Sequence, residues 1–139
     1  PLKHPDIDTV ALFEDRFLLA LPKSQNLSGR LRATPELVEH ERLLLLEEGH
    51  CLRDQALTYC HLKHADTINT FGASSLSTIV EMVSGGLGMT LLPEICLPVE
   101  ARNRDIKVMR FVEPEPSRTI GLAWRHSSPR AEDYKALGK

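Results

Sequence analysis

The sequence predicts an α/β domain in which a mostly parallel or mixed sheet is covered by helices. Short apolar runs that are typical of buried strands alternate with segments whose apolar residues recur at helical spacing. The chain has 139 residues, of which 42% are apolar and 26% charged. It is therefore long enough for one domain with its own core, and its composition excludes a disordered or fibrous protein.

The first strands are predicted at residues 9–13 and 17–21, with the polar residues Glu14, Asp15 and Arg16 as the turn between them. Residues 22–30 contain Ser and Gly and are predicted as a loop. A short helix follows, because Thr34 is a suitable N-cap and Pro35 suits the first helical position. It leads to an apolar strand at residues 43–46.

Residues 52–59 contain neither Pro nor Gly and are predicted as a helix, and residues 68–71 as a strand. The next helix has Ser74 or Ser75 as its cap, apolar residues at helical spacing, and Gly85 and Gly86 at its end. Strands at residues 88–92, 106–111 and 119–124 and a final helix at residues 131–137 complete the domain.

The segment from Gly49 to Cys60 carries the most chemical information. Cys51 stands beside His50 and Arg53, and a second thiol, Cys60, follows nine residues later. The thiolate is the nucleophilic form of cysteine, and positive charge or a helix N-terminus favours it. This layout predicts a redox switch.

Helix geometry makes that switch conformational. Nine residues at about 1.5 Å rise place the ends of one helix about 13–14 Å apart and on opposite faces. A disulfide needs Cα atoms within roughly 7 Å. Cys51 and Cys60 can therefore bond only if the helix between them unwinds.

Two other interpretations of these residues stay open. Cysteines in a domain of this kind are often small buried hydrophobic residues with no chemistry. Cys60, His61 and His64 also cluster in sequence, but a structural zinc site needs four ligands with pairings such as Cys-x-x-Cys, and none is present. No metal and no cofactor is predicted.

Three segments resemble a known family. Residues 46–56 (Leu-Glu-Glu-Gly-His-Cys-Leu-Arg-Asp-Gln-Ala), with Cys60 beyond them, resemble the sensor segment of the OxyR family, the LysR-type transcriptional regulators that respond to hydrogen peroxide. Residues 74–93 resemble the helix, glycine turn and strand of LysR-type effector domains in general. Residues 114–122 are again similar to the OxyR family, and the three segments keep their order.

This resemblance implies the fold of a LysR-type effector-binding domain, which is similar to periplasmic binding proteins. It implies mainly the second subdomain, with the strand and helix that return toward the first. The start at Pro1 without Met predicts a fragment. The resemblance implies that residues 1–139 are one fragment of the regulatory domain, without the winged helix-turn-helix and most of the first subdomain.

The resemblance also implies residue roles. Cys51 would be the peroxidatic cysteine, oxidised to a sulfenic acid, and Cys60 the resolving cysteine that forms the disulfide. His50, Arg53 and Arg118 would stabilise the Cys51 thiolate; without the resemblance, both arginines read equally well as solvated surface charges.

A second candidate site is the start of the helix after residue 74. Free N–H groups there can bind an anion or polar ligand, so Ser74, Ser75 and Leu76 are candidates for an effector cleft, although simple capping is the favoured interpretation. Cys96 lies among apolar residues beside Glu94 and is expected to be inert.

The partners follow from the family and the composition. The resemblance implies a homo-oligomer, a dimer or tetramer, that binds promoter DNA and RNA polymerase through the full-length protein, with hydrogen peroxide as the signal. The net charge of -2 gives this chain no basic surface for DNA by itself. Three cysteines and apolar runs far below the ~20 residues that span a bilayer favour a reducing cytoplasm and no membrane.

Three functions are compared. The leading one is the peroxide-sensing domain of an activator of antioxidant genes, which is not an enzyme. The second is a LysR-type effector domain that binds a small metabolite and has structural cysteines. The third is a thiol peroxidase, which ranks last because the residues around Cys51 resemble no peroxidase motif.

Overall fold

A computed structural model of the chain describes residues 3–27, 29–39, 41–46, 51–60, 73 and 75–139. Its residues form two compact units. The terminal unit comprises residues 1–16 and 117–139, and the central unit residues 17–116. Strands and helices occur together, so the α/β class is confirmed. No helix among the described residues is long and apolar enough to cross a membrane.

The central unit is built on the second half of a long strand. Strand β1, Ile7–Pro22, contributes residues 17–22, which pair antiparallel with β2, Thr90–Pro93, on one side and with β3, Ile106–Met109, on the other. Leu19, for example, lies opposite Leu91 in one ladder and Met109 in the other. Residues 17–22 are all buried, as expected for the middle strand of a sheet.

The described residues of the central unit also form four helices and one 3₁₀ turn: α1, Pro35–Glu39; α2, Cys51–Tyr59; α3, Leu76–Ser84; the turn Glu94–Cys96; and α4, Leu97–Glu100. Helix α1 is capped as predicted, because the Leu37 N–H donates to Thr34 Oγ1 at 3.3 Å. Helix α3 begins after the predicted cap Ser75, whose Oγ accepts from the Thr78 N–H at 3.2 Å, and ends at Gly85.

The predicted strand at residues 43–46 is buried, but it makes isolated bridges instead of a regular ladder. Leu43 bridges Met89 and Leu46 bridges Ala73, both in the parallel sense. The ladders between the named strands are all antiparallel, so the expectation of a mostly parallel sheet is wrong. The pairing is mixed only because the isolated bridges are parallel. Strand direction cannot be read from apolar runs, since a strand buried on both faces looks the same either way.

Close packing at Gly88 explains why this position has no side chain. A Cβ at Gly88 would lie 2.5 Å from the Arg42 carbonyl oxygen and 3.1 Å from Leu44 Cγ. The neighbouring backbone is fixed by two hydrogen bonds, from the Met89 N–H to Arg42 O at 2.8 Å and from the Leu44 N–H to Met89 O at 2.7 Å. These contacts hold residues 42–44 against the chain that enters β2.

The terminal unit consists of a two-stranded ladder and one helix. Residues 7–16 of β1 pair antiparallel with β4, Ser117–Arg125, with a register shift between Ala11 and Phe13. Helix α5, Ala131–Leu137, follows, and the rings of Trp124 and Tyr134 lie 5.8 Å apart.

The predicted turn at Glu14, Asp15 and Arg16 is wrong, because these residues lie inside β1. Strand β4 supplies partners for the two carboxylates: Glu14 accepts hydrogen bonds from the Ser117 and Thr119 hydroxyls, and Asp15 pairs with Arg118. A charged run that would be solvated in a turn is therefore stable in a strand. The predicted strand at residues 68–71 lies outside the described residues.

Candidate functional site

Helix α2 contains both predicted redox cysteines. Cys51 is its first residue and is exposed, whereas Cys60 directly follows its last residue and has an exposed fraction of 0%. The Cys60 N–H donates to the Ala56 carbonyl at 3.1 Å, so the helical hydrogen bonding reaches Cys60. Both cysteines are thiols in this structure. The helix predicted for this segment is confirmed.

The buried face of α2 is set by helical spacing. Arg53, Ala56 and Cys60 are buried and follow one another at intervals of three and four residues, which places them on one face. Cys60 belongs to the apolar core cluster that also includes Leu45 and Phe111. Cys51, nine residues before Cys60, lies about 180° away around the helix axis.

This geometry keeps the two thiols apart. Nine residues of α-helix correspond to about 13.5 Å along the axis, roughly twice the largest Cα separation that a disulfide bridges. A bond between Cys51 and Cys60 therefore requires α2 to unwind and Cys60 to leave the core.

Arg53 is anchored beneath the start of α2. Its side chain is buried, with 5% of the residue exposed, and Nη1 donates to the Leu46 carbonyl at 3.1 Å. A small cavity of about 10 Å³ lies beside it, lined by apolar residues that include Leu52 and Leu76 and by Thr90. The predicted role of Arg53 in stabilising the Cys51 thiolate stays a prediction.

Arg118 lies in the terminal unit and has a carboxylate partner there. Its Nη2 lies 2.9 Å from Asp15 Oδ2, and its Nε donates to the same oxygen at 3.0 Å. The Asp15 side chain is 2% exposed and that of Arg118 19%. The two residues therefore form an ion pair on adjacent strands in which Asp15 is buried and Arg118 is partly buried. Its predicted effect on Cys51 stays a prediction, and His50 lies outside the described residues.

The predicted effector-cleft residues have structural roles in the described part of the chain. The Ser75 hydroxyl caps α3 and lies 2.8 Å from the Thr78 hydroxyl. Leu76 packs against the buried cluster of Ala20, Val80 and Leu92. A ligand-binding role for Ser75 and Leu76 stays a prediction, and Ser74 lies outside the described residues.

Among the described residues, no group of three or more His, Cys, Asp or Glu side chains could hold a metal ion. His61 and His64 lie outside that part of the chain. Cys96 is half-buried at the end of the 3₁₀ turn, and its expected inertness stays a prediction.

Tyr59 was missed by the sequence analysis. Its ring packs edge-on against Phe111, with centroids 5.0 Å apart. Burial, followed by the charges of Cys60, Glu36 and Glu115, raises the pKa of Tyr59 to about 12. The signal in the sequence that could have pointed to Tyr59 is its position directly before Cys60, at the buried end of the helix.

This shift predicts a loss of stability at high pH. The folded state favours the neutral phenol, so its contribution to the free energy of unfolding is full below pH 10, the unfolded value, and is lost as pH rises toward 12. The variant Tyr59→Phe keeps the ring but cannot titrate. Urea unfolding across this range should show a shallower decline for Tyr59→Phe than for wild type. Equal slopes would contradict the assignment.

Comparison with known proteins gives a consistent result. The LysR substrate binding domain family matches residues 1–138. A probable hydrogen peroxide-inducible genes activator of Mycobacterium avium is 42% identical over 139 residues, which are 99% of this chain and 44% of that protein. The DNA-binding transcriptional dual regulator OxyR of Escherichia coli K12 is 39% identical over 130 residues, 94% of this chain and 43% of that protein. The chain thus spans less than half of these relatives.

Solved structures of OxyR proteins also match this chain. The reduced OxyR regulatory domain of Pseudomonas aeruginosa matches 99% of this chain and 66% of that chain, with a TM-score of 0.83 and 35% identity. A cysteine-to-serine variant of Corynebacterium glutamicum OxyR with hydrogen peroxide bound matches 98% of this chain and 44% of that chain, with a TM-score of 0.84 and 31% identity.

Proposed function

Because the chain belongs to the LysR substrate-binding domain family, we propose that it is the redox-sensing regulatory domain of a hydrogen peroxide-responsive transcriptional regulator. The names of the relatives and of the structural neighbours support this proposal. Those relatives are gene activators and regulators, in agreement with the prediction that the chain is not an enzyme.

The observation that carries the proposal is the placement of the two thiols on α2. Cys51 is exposed at the first position of the helix, where peroxide in solvent has access to it, and Cys60 is buried after the last turn. The resemblance to the OxyR family supports the further proposal that His50 and Arg118 assist the oxidation of Cys51.

The chemistry proceeds in two steps. The Cys51 thiolate attacks one oxygen of hydrogen peroxide, the O–O bond breaks, and the released hydroxide takes a proton to form water, leaving a sulfenic acid on Cys51. The Cys60 sulfur, after loss of its proton, then attacks the Cys51 sulfur and displaces hydroxide, which leaves as a second water molecule. Two thiols and one peroxide thus give one disulfide and two waters.

The signal is the rearrangement that the second step requires. Since α2 must unwind for the disulfide to form, oxidation changes the packing of the central unit. In the full-length regulator we propose that this change alters a homo-oligomer, a dimer or tetramer, and its contacts with promoter DNA and RNA polymerase. We place such a regulator in the cytoplasm, where those partners are found.

Counting thiols tests this function. After one equivalent of hydrogen peroxide and denaturation, wild type should retain one titratable thiol, since two of its three cysteines enter the disulfide. The matched variant Cys96→Ser should lose both remaining thiols, and Cys51→Ser should keep its two. If wild type keeps all three thiols, the cysteines are structural and the metabolite-binding alternative is favoured. Peroxide consumption in excess reductant would instead indicate a thiol peroxidase.

A further inference from the structure

We propose that Arg53 is a latch for the reduced state, meaning a contact that holds the start of α2 folded and slows formation of the disulfide. This inference rests on the proposed function, because it assigns a residue to the second oxidation step. It differs from the role predicted from the sequence, in which Arg53 acts on the thiolate and therefore on the first step.

The guanidinium of Arg53 is anchored to a buried carbonyl. Nη1 of Arg53 donates to the Leu46 carbonyl at 3.1 Å in a buried environment, across a separation of seven residues. Leu46 is itself buried and bridges Ala73, so the acceptor is held by the surrounding chain. A hydrogen bond that involves a charged group contributes more than one between neutral groups. The contact ties the first turn of α2, where Cys51 lies, to the core.

The side chains of Cys51 and Arg53 leave the helix in different directions. Two positions along a helix correspond to about 200° around its axis, so Cys51 and Arg53 do not face each other. The thiol at Cys51 is exposed, whereas the guanidinium is buried. Loss of Arg53 should therefore alter the folding of α2 more than the reactivity of the thiolate.

The rest of α2 has few buried side chains that attach it to the core. Within Cys51–Tyr59, Arg53 and Ala56 are the buried residues, and Ala56 has a small side chain. Gln55 Oε1 is buried and has no hydrogen-bond partner among the described residues, which weakens the folded helix. Leu52, Leu57 and Tyr59 pack against the core but are only partly buried. Arg53 is thus a substantial part of what keeps α2 folded.

A latch must also release. A buried guanidinium has lost its hydration, and it regains that hydration when α2 unwinds. The cost of burying the charge offsets part of the gain from its hydrogen bond, as is usual for buried charged groups. The contact can therefore hold the reduced helix without making the oxidised state inaccessible.

The test measures the two oxidation steps separately in Arg53→Ala. The first step is followed as trapping of the Cys51 sulfenic acid in a Cys60→Ser background, and the second as disulfide formation with Cys60 present. Alanine is the best helix former, so any loosening reflects lost contacts and not poorer propensity. Arg30→Ala is the matched control, because Arg30 is exposed in the same unit and its loss changes the net charge equally.

We expect Arg53→Ala to leave the first rate constant within about twofold of wild type and to raise the second by roughly tenfold or more, as loss of a charged hydrogen bond implies. The disulfide should also become harder to reduce, since the reduced state alone loses a contact. Arg53→Lys keeps a cationic donor group and most of the stem. It should therefore change the second rate constant and the reduction of the disulfide less than Arg53→Ala does. It also gives the same comparison if the alanine variant does not fold. Arg30→Ala should match wild type.

Two results would overturn the latch. A slower first step with an unchanged second step assigns Arg53 to the thiolate, and a slower second step means that Arg53 assists the disulfide. If wild type forms neither product, the proposed function itself fails, whatever the variant does. These outcomes separate failure of the inference from failure of the function on which it rests.

Discussion

The disulfide form of this chain is expected to lose the hydrogen-exchange protection of α2. In the reduced state the helical bonds reach Cys60, whose N–H donates to Ala56 at 3.1 Å. A disulfide cannot span the length of that helix, so at least one turn has to open. Amides of α2 should then exchange about a hundredfold faster or more, as expected when a rarely opened segment becomes largely open.

Two comparisons make this result specific. Helix α3, Leu76–Ser84, is capped at both ends and serves as the internal reference, with little change expected. The variant Cys60→Ser, oxidised only to the sulfenic acid on Cys51, should keep α2 protected, because no bond pulls the helix ends together. Unchanged exchange of the α2 amides in the disulfide form would contradict this expectation, because the two thiols would then have bonded while the helix stayed folded.

Replacement of Arg118 by methionine is expected to lower the free energy of unfolding by about 3 kcal/mol, the scale of breaking a buried ion pair. The Asp15 carboxylate is 2% exposed and lies 2.9 Å from Arg118 Nη2, so the variant removes this cation from a buried anion. Urea unfolding of the terminal unit, followed through the fluorescence of Trp124 on β4, reports the loss.

The double variant Asp15→Asn with Arg118→Met supplies the control. Removing the carboxylate together with its partner should recover part of the lost free energy of unfolding, because neither charge of the ion pair then remains. If Arg118→Met leaves stability unchanged but slows peroxide oxidation of Cys51, the arginine acts mainly on the thiolate, as the family resemblance implies.

Local sequence signals predicted most of the helices. Thr34 and Pro35 fixed the start of α1, and Ser75 and Gly85 fixed the two ends of α3. Each of these signals acts within one helical turn, so the neighbouring residues suffice to recognise it. The absence of Pro and Gly from residues 52–59 predicted α2, with Cys51 and Cys60 at its two ends.

The errors concern partners that are distant in sequence. Glu14 and Asp15 are polar enough to suggest a turn, and only pairing with Ser117, Thr119 and Arg118, more than one hundred residues away, makes them part of a strand. The antiparallel direction of the ladders is likewise set by the path that the chain takes between one strand and the next. Apolar patterns along the sequence carry neither kind of information.

In the candidate site, too, some features follow from the sequence and others depend on contacts with residues elsewhere in the chain. The spacing of Cys51 and Cys60 follows directly from the sequence, whereas the burial of Arg53 depends on where Leu46 lies and that of Tyr59 on where Phe111 lies. Charged and aromatic residues near a cysteine suggest direct electrostatic roles when only the sequence is read. Packing determines which of them face the thiol and which anchor the helix.

The central claim is that Cys51 and Cys60 form one peroxide-driven pair, and peptide mass mapping after one equivalent of hydrogen peroxide tests it most directly. The account predicts one disulfide that links Cys51 to Cys60 with the loss of two hydrogen atoms, Cys96 still reduced, and a sulfenic acid trapped on Cys51 in Cys60→Ser. Cys51 that remains reduced in the folded chain, while the denatured chain is readily oxidised, would contradict it.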